Sequence, residues 1–361
     1  MNGHKAGGRS CSGRADQFPS TWKKNIMLSP LPVLKYLLAA LLFATLTAPA
    51  HGGKFDADRD EVRHFVGRMA EKHGLDPDVV RDLLARAEHR QDIIDAISRP
   101  AEAMPWYRYR PIFMREDRIE EGVAFWAEHA DTIAAAAERY EVAEEIIVAI
   151  IGVETRYGEH QGRYRVIDAL STLAFAYPPR AEFFRRELEH YLLLADEEGF
   201  DPLSIRGSYA GAMGIPQFIS SSYRAYAVDG DGNGRRDLLS STADAVASVA
   251  NYFREHRWRP DEPVVSRAEL NQDTDVSGLA NRGRQPYTTV GELRAAGVEP
   301  DLSLNDRTPA TLMELDGEEG KEYWVGLHNF YVITRYNHSP LYALAVWQLS
   351  QAIRARMEKN A

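Results

Sequence analysis

The chain has 361 residues, 44% of them hydrophobic and 27% charged, which is ordinary for a soluble globular protein with enough core for two or three domains. Lys and Arg number 43 and Asp and Glu 53, so the net charge is −10. That acidity argues against nucleic acid as a partner and says little about neutral substrates.

Residues 1–26 are polar and rich in Gly, Ser and Arg, without periodicity. An apolar run follows, LLAALLFATL, with Lys23, Lys24 and Lys35 ahead of it and Ala48-Pro49-Ala50 behind it. This order predicts a secretory signal peptide cut after Ala50, with residues 1–50 as signal and N-terminal extension and Met27 as an alternative start. The run is shorter than the ~20 residues that span a bilayer. Residues 1–50 carry six Lys/Arg and one Asp, so their removal lowers the net charge of the remainder to −15. Cys11 lies ahead of the run, so the exported product has no disulfide, thiolate metal site or lipid-anchor cysteine.

Residues 51–115 read as a helical domain. Val62, Phe65, Val66 and Met69 recur at helical spacing up to Gly74. Asp76-Pro77 caps a second helix that runs to about His89. SRPAEAMPWYRYRP, with Pro100, Pro105 and Pro111, reads as a loop. Residues 116–258 form the expected core: a helix over 117–139, an apolar helix over 144–157, and two helices split by Pro178-Pro179. Residues 259–328 are rich in Gly, Asp, Asn and Pro with short Val, Leu and Thr runs, the texture of a small β-containing insert. Residues 329–361 supply a cleft segment and an amphipathic C-terminal helix.

Four stretches bear chemistry. EEIIVAIIGVE is apolar nearly all round, hence buried, yet ends in Glu154, with Gly158 as a left-handed stop. A carboxyl at the edge of the core is partly desolvated, which raises its pKa toward that of a general acid. The equally weighted structural reading pairs Glu154 with Arg156 or another Arg. RGSYAGAMGIPQF, 206–218, exposes backbone N–H groups for a ligand or serves as a tight connection, with Pro216 opening a short helix. Its glycine spacing is neither a dinucleotide fingerprint nor a phosphate loop. In VDGDGNGRRDLLSSTAD, Asp229, Asp231, Asn233 and Asp237 fall at positions 1, 3, 5 and 9 of a calcium loop and Gly234 at position 6. Ser240 stands where a bidentate Glu closes such loops, and Asp244 is the substitute. NFYVITRYNHSPLY brings Tyr331, Tyr336, Asn337, His338 and Tyr342, which suit a sugar subsite as well as a Tyr-rich core edge.

GVETRYG, DALSTLAFAYPPRAEFF, DPLSIRGSYAGAMGIPQFISSSY, the DGDG loop before DAVASVANYF, and NFYVITRYNHS, in this order, resemble the lytic murein transglycosylase B family, glycoside hydrolase family 103. The resemblance spans about residues 58–355. It implies a mainly α, α+β fold: a lysozyme-like helical core with a further helical domain and a small β-containing domain. It also implies cleavage, without water, of the β-1,4 bond between N-acetylmuramic acid and N-acetylglucosamine in peptidoglycan, leaving 1,6-anhydro-N-acetylmuramic acid ends. Glu154 matches the family's catalytic acid, acting first as acid and then as base with assistance from the substrate acetamido group.

By the same resemblance Ser208 and Gln217 line the cleft, Met213 packs under a sugar ring, and Tyr109, Tyr252, Tyr336, Asn337 and Tyr342 contact sugar. No cofactor is implied for catalysis. A structural Ca²⁺ would be held by Asp229, Asp231, Asn233, Asp237 and Asp244, although the loop departs from the family pattern by one inserted residue. The expected setting is the periplasm of a Gram-negative bacterium, as a soluble monomer working on glycan strands and with wall-synthesis or remodelling proteins. Asp168 is expected to be a structural N-cap. Three other readings stay open from the residues: a non-catalytic glycan-binding module, a lysozyme-type hydrolase, and a calcium-dependent structural protein.

Overall fold

The computed structural model describes residues 53–99 and 104–360. The signal peptide, its cut site, Met27 and Cys11 lie outside the described residues. In chain order, β1 (Gly53–Lys54) precedes α1 (Asp60–His73), α2 (Pro77–Ala85), β2 (Glu88–His89) and α3 (Gln91–Ile97). Then come α4 (Trp106–Phe113), α5 (Glu116–Glu128), α6 (Ala130–Tyr140) and α7 (Glu144–Thr155). β3 (Tyr164–Arg165) leads into α8 (Val166–Ala176), and a single 3-10 turn at Pro178–Arg180 separates α8 from α9 (Ala181–Glu198). β4 (Arg206–Gly207), α10 (Ser220–Tyr226) and α11 (Thr242–Glu255) follow. The last part holds β5 (Val265–Leu270), β6 (Thr288–Thr289), α12 (Val290–Ala295), β7 (Val298–Pro300), β8 (Pro309–Asp316) and β9 (Lys321–Gly326). The chain closes with α13 (His328–Tyr336) and α14 (Pro340–Asn360).

Local chemistry explains most of these boundaries. Asp76 accepts from the Asp78 amide and Pro77 takes the first helical position, so α2 starts where a cap and a fixed φ coincide. Gly74 and Gly199 end α1 and α9 in the left-handed region. Thr289 and Glu292 form a reciprocal capping box on α12.

Five boundaries differ from expectation. The segment over 117–139 is two helices broken at His129, which caps α5 and opens α6. α2 stops at Ala85 because Glu88–His89 pairs as a strand with Gly53–Lys54. The Pro-rich loop before residue 115 contains α4: Pro105 is its N-cap, and Pro111 stands six positions into it. α7 ends at Arg156, itself left-handed at φ 52°, two residues before Gly158. Pro216 opens a turn and no helix.

Three apolar cores organise the chain. One joins α4–α7, α11, α13 and α14 with part of the β8–β9 hairpin. A second joins α1–α3 with α8–α10 and the 205–218 segment, so the N-terminal helices share a core with residues from 164 to 252. The third is enclosed by a five-stranded antiparallel sheet, order β6-β8-β9-β5-β7, with α12 against it. Tyr336 packs against both the first and the second core, so the end of α13 lies on their seam.

Candidate active site at the end of α7

Every residue of α7 from Ile146 to Thr155 is buried. Burial of so many aliphatic side chains, each worth roughly 1.5–3 kcal/mol, fixes the helix and therefore the position of Glu154 at its end. Glu154 is 3% exposed. The Tyr342 hydroxyl, from the first turn of α14, donates to its Oε1 at 2.6 Å. Burial pushes the Glu154 carboxyl up to about 8, and the Tyr342 hydrogen bond is the one opposing influence. Among the described residues no carboxylate acts on Glu154 electrostatically. Arg156 does not pair with it either: that guanidinium turns away to Glu121, with Nε to Oε2 at 2.6 Å, and to Asp117 at 3.1 Å. Among the described residues no arginine forms an ion pair with Glu154.

The residue after Glu154 escaped the sequence analysis. Thr155 is fully buried, and its Oγ1 donates to the Ile215 carbonyl at 2.8 Å and accepts from the Gly158 amide at 3.0 Å. It thus fastens the end of α7 to the glycine-rich loop. Its only signal was a hydroxyl in a run otherwise too apolar to hold one. Arg118 was missed as well: its Nη1 donates to the Gly152 carbonyl at 2.6 Å, satisfying a carbonyl in the last turn of α7.

The glycine-rich loop is a small hairpin. Met213 and Phe218 exchange backbone hydrogen bonds at 2.9 and 3.1 Å across Gly214 and Gln217, both with positive φ. A Cβ on Gly214 would meet the Leu238 carbonyl oxygen at 2.4 Å, so only glycine fits there. Gln217 holds φ 51° without being glycine, and its buried amide donates to the carbonyls of Gln161 and Gly214 at 3.0 and 2.9 Å. A left-handed, buried Gln is strain of the kind concentrated at binding sites. Ser208 stays half-exposed, its Oγ accepting from the amides of Ala210 and Ala212.

Tyr336 is half-buried, and its hydroxyl donates to the Pro216 carbonyl at 2.6 Å, tying α13 to the same loop. Its ring meets Tyr252 edge-on at 4.8 Å, and Tyr252 stacks on His256 at 4.0 Å while donating to the Arg335 carbonyl. Asn337 is buried directly after α13. Glu154, Ser208, Gln217, Tyr336, Asn337 and Tyr342 therefore belong to elements joined directly by these bonds or adjacent in the chain. Tyr109 lies on α4, fully buried, and acts on Tyr342 electrostatically. Met213 departs from expectation. It is completely enclosed in the second core, because its side chain points inward from the hairpin, and it offers no surface to a sugar ring.

Asp168 is also corrected. It is the third residue of α8, not its cap. Its Oδ1 accepts from the Glu88 amide at 2.8 Å, and Arg165 Nε donates to Oδ2 at 2.7 Å. It ties β2 to α8, away from Glu154.

The acidic loop assembles in part. Oxygens of Asp229, Asp231 and Asp244 lie within 4.8 Å of one another. Asp244 is fully buried and its carboxyl is raised, by burial first and then by the Asp231 charge. Asp237 does not join them, and the Asn233 backbone amide donates to Asp229 and Asp231 of the cluster. Asn233 accepts from the Arg235 amide, and Asp237 caps its own turn through the amides of Leu239 and Ser240. Three hard carboxylate donors converging, one of them buried against like charge, fit a Ca²⁺ ion.

The profile of the transglycosylase SLT domain matches residues 57–351. The chain belongs to the transglycosylase SLT family. Within that family it is similar to the membrane-bound lytic murein transglycosylase B of Escherichia coli K12, 42% identical over 312 residues and 84% of each chain. The soluble lytic transglycosylase SltB1 of Pseudomonas aeruginosa is 52% identical, with a TM-score of 0.78 over 82% of this chain and 99% of that one. The E. coli lytic transglycosylase Slt35, solved in complex with calcium, is 42% identical, with a TM-score of 0.77 over 86% and 99%. The expected fold, a lysozyme-like helical core with added helices and a small sheet, is the fold of this SLT-family chain. Among the described residues no helix is long and apolar enough to cross a membrane.

Proposed function

We propose that this SLT-family chain is a lytic transglycosylase that breaks the β-1,4 bond between N-acetylmuramic acid and N-acetylglucosamine in peptidoglycan without water, with Glu154 as its single acid and base. The observation that carries this is the buried Glu154 carboxyl, held up to about 8 and hydrogen-bonded, among the described residues, by the Tyr342 side chain. At neutral pH the group is protonated and can donate to the glycosidic oxygen as the bond breaks. The acetamido oxygen of the substrate stabilises the anomeric carbon, a task that otherwise needs a second carboxylate. Glu154 is then an anion. The Tyr342 hydroxyl, which favours the charged form, stabilises it until it removes the proton from the 6-hydroxyl that closes on the anomeric carbon. The product end is 1,6-anhydro-N-acetylmuramic acid.

In this reading the half-exposed Ser208 and Tyr336 face the sugars, the buried Gln217 and Asn337 shape the cleft wall from behind, and Tyr342 holds the acid. Tyr109 and Tyr252 act from behind as packing for Tyr342 and Tyr336. Asp229, Asp231 and Asp244 hold a structural Ca²⁺ that takes no part in the reaction. The setting is the periplasm, and the glycan strand is the partner. The expected helical domain 51–115 gives way to α1–α3 packed with α8–α10, α4–α7 with α11, α13 and α14 serve as the catalytic core, and residues 259–328 serve as the β-containing insert.

Mass spectrometry of purified peptidoglycan digested with the protein and with Glu154→Gln tests the proposal. Muropeptides about 18 Da lighter than hydrolysis products, absent with the variant, are expected. Full-mass reducing ends would make the protein a hydrolase.

A further inference from the structure

Arg118 stands in the first turn of α5, the positive end of that helix, where a cation is unfavourable. It is 8% exposed, and burial draws its guanidinium below the usual arginine range. Among the described residues no carboxylate forms an ion pair with it, and its Nε is buried without a hydrogen-bond partner. The neighbouring carboxylates Asp117 and Glu121 are taken by Arg156. A cation so placed costs stability in its own helix. Its Nη1 reaches out of α5 to the Gly152 carbonyl at 2.6 Å, in the last turn of α7, the end of a helix at which a cation is favourable.

Tyr157 makes the same connection in the opposite direction. Its hydroxyl donates to the Arg118 carbonyl at 2.9 Å. Its ring fills a slot left by two glycines. A Cβ on Gly152 would meet that ring at 2.6 Å, and one on Gly122 of α5 would meet the Tyr157 hydroxyl at 2.5 Å and Ile353 of α14 at 2.6 Å. Arg156 and Tyr157 hold φ 52° and 59°. Two consecutive left-handed residues other than glycine are a strain that persists only where the surroundings impose it. Glu154 lies between the Gly152 carbonyl and this strained turn, and α14, which carries Tyr342, packs against the same Gly122.

We propose that Arg118 and Tyr157 are positioning residues for the reaction: they clamp the last turn of α7 to α5 and so hold the Glu154 carboxyl in line with Tyr342 and the bond to be broken. The inference rests on the reading of Glu154 as acid and base. Burial and the Tyr342 hydroxyl alone set the Glu154 carboxyl, so the clamp acts through geometry and not through the Arg118 charge.

The test compares Arg118→Met, Arg118→Lys and Tyr157→Phe with the unmodified protein in two measurements. The first is amide hydrogen exchange. The Arg156 and Tyr157 amides donate to the Gly152 and Ile151 carbonyls at 3.2 and 3.3 Å. In Arg118→Met and Tyr157→Phe they should exchange about tenfold faster, beyond any change at Ile150 and Ile151 in the same helix. The second is cleavage of soluble peptidoglycan glycan strands, well below the unfolding temperature and per folded molecule. In Arg118→Met kcat should fall about ten- to a hundredfold, with KM and the basic limb of the pH profile unmoved. Tyr157→Phe should lose less, and Arg118→Lys should recover part of the loss. Unchanged exchange at 156–157 or unchanged kcat per folded molecule would overturn the proposal, as would a loss confined to KM or a displaced basic limb. Reducing ends in place of anhydro products would remove the transglycosylase reading and leave the clamp to be judged by the same kcat loss on hydrolysis. No cleavage by the unmodified protein would remove both.

Discussion

Tyr342 donates its hydroxyl to Glu154 at 2.6 Å, and each is nearly sealed from solvent by the packing of α14 on α7. The pair sets two opposed influences on one carboxyl. Burial raises its pKa, and the hydrogen bond lowers it. The tyrosine thus keeps the acid from becoming too weak to return to its charged form in the second half of the reaction.

Removing that donor, in Tyr342→Phe, should push the Glu154 carboxyl further up from about 8. Activity that needs protonated Glu154 falls as pH rises through this value, so the basic limb of the kcat/KM profile moves to higher pH in the variant. The maximal rate should drop about tenfold, because the carboxylate formed in the first step loses a charge-assisted hydrogen bond. An unmoved basic limb would assign the limb to another group.

Glu154 also makes stability depend on pH. Its folded pKa, about 8, lies above the ordinary carboxyl value of 4.5. The folded state therefore keeps a proton that the unfolded state releases. The contribution is fully present below about 4.5 and is lost as pH rises through about 8, at a slope of about 1.4 kcal/mol per pH unit between them. Glu154→Gln should flatten this slope and unfold at a higher temperature than the unmodified protein at pH 8. Denaturant titrations at pH 5, 6.5 and 8 (chosen as roughly spanning the window) read it directly.

Asp168→Asn separates a structural carboxylate from a reacting one. The side chain bridges the Glu88 amide and Arg165 from a position 3% exposed. Its replacement should cost about 2 kcal/mol of stability. Cleavage of peptidoglycan well below the unfolding temperature should survive. Lost cleavage with unchanged thermal unfolding would contradict the structural role.

Calcium should raise the Tm, and Asp229→Asn or Asp244→Asn should abolish the shift. A ligand present at a hundredfold its Kd stabilises a folded protein by about 2.7 kcal/mol. Asp237→Asn should leave the shift intact, because that side chain caps its own turn. A Tm insensitive to calcium would remove the metal from this loop.

Much of this protein is legible along the chain. An all-round apolar helix has to be buried, so a Glu at its end has to be desolvated, and that alone marks Glu154. The caps at Asp76 and Gly74 act within a turn of the backbone, so their residues announce them. What depends on distant segments is not legible. Helix α4 forms across a Pro-rich stretch because Trp106, Tyr109 and Phe113 have a core to enter. Asp231 converges with Asp244, which lies beyond the loop pattern, while Asp237, which matches the pattern as well as Asp231 does, turns to its own backbone. Tyr342 reaches Glu154, Thr155 reaches Ile215, and Arg118 reaches Gly152 only after separate elements have packed. Residue type and local spacing determine which side chains are able to do chemistry and which faces must be buried. Tertiary packing decides which of them meet, because hydrogen bonds between remote segments become favourable only when burial has already brought the segments together.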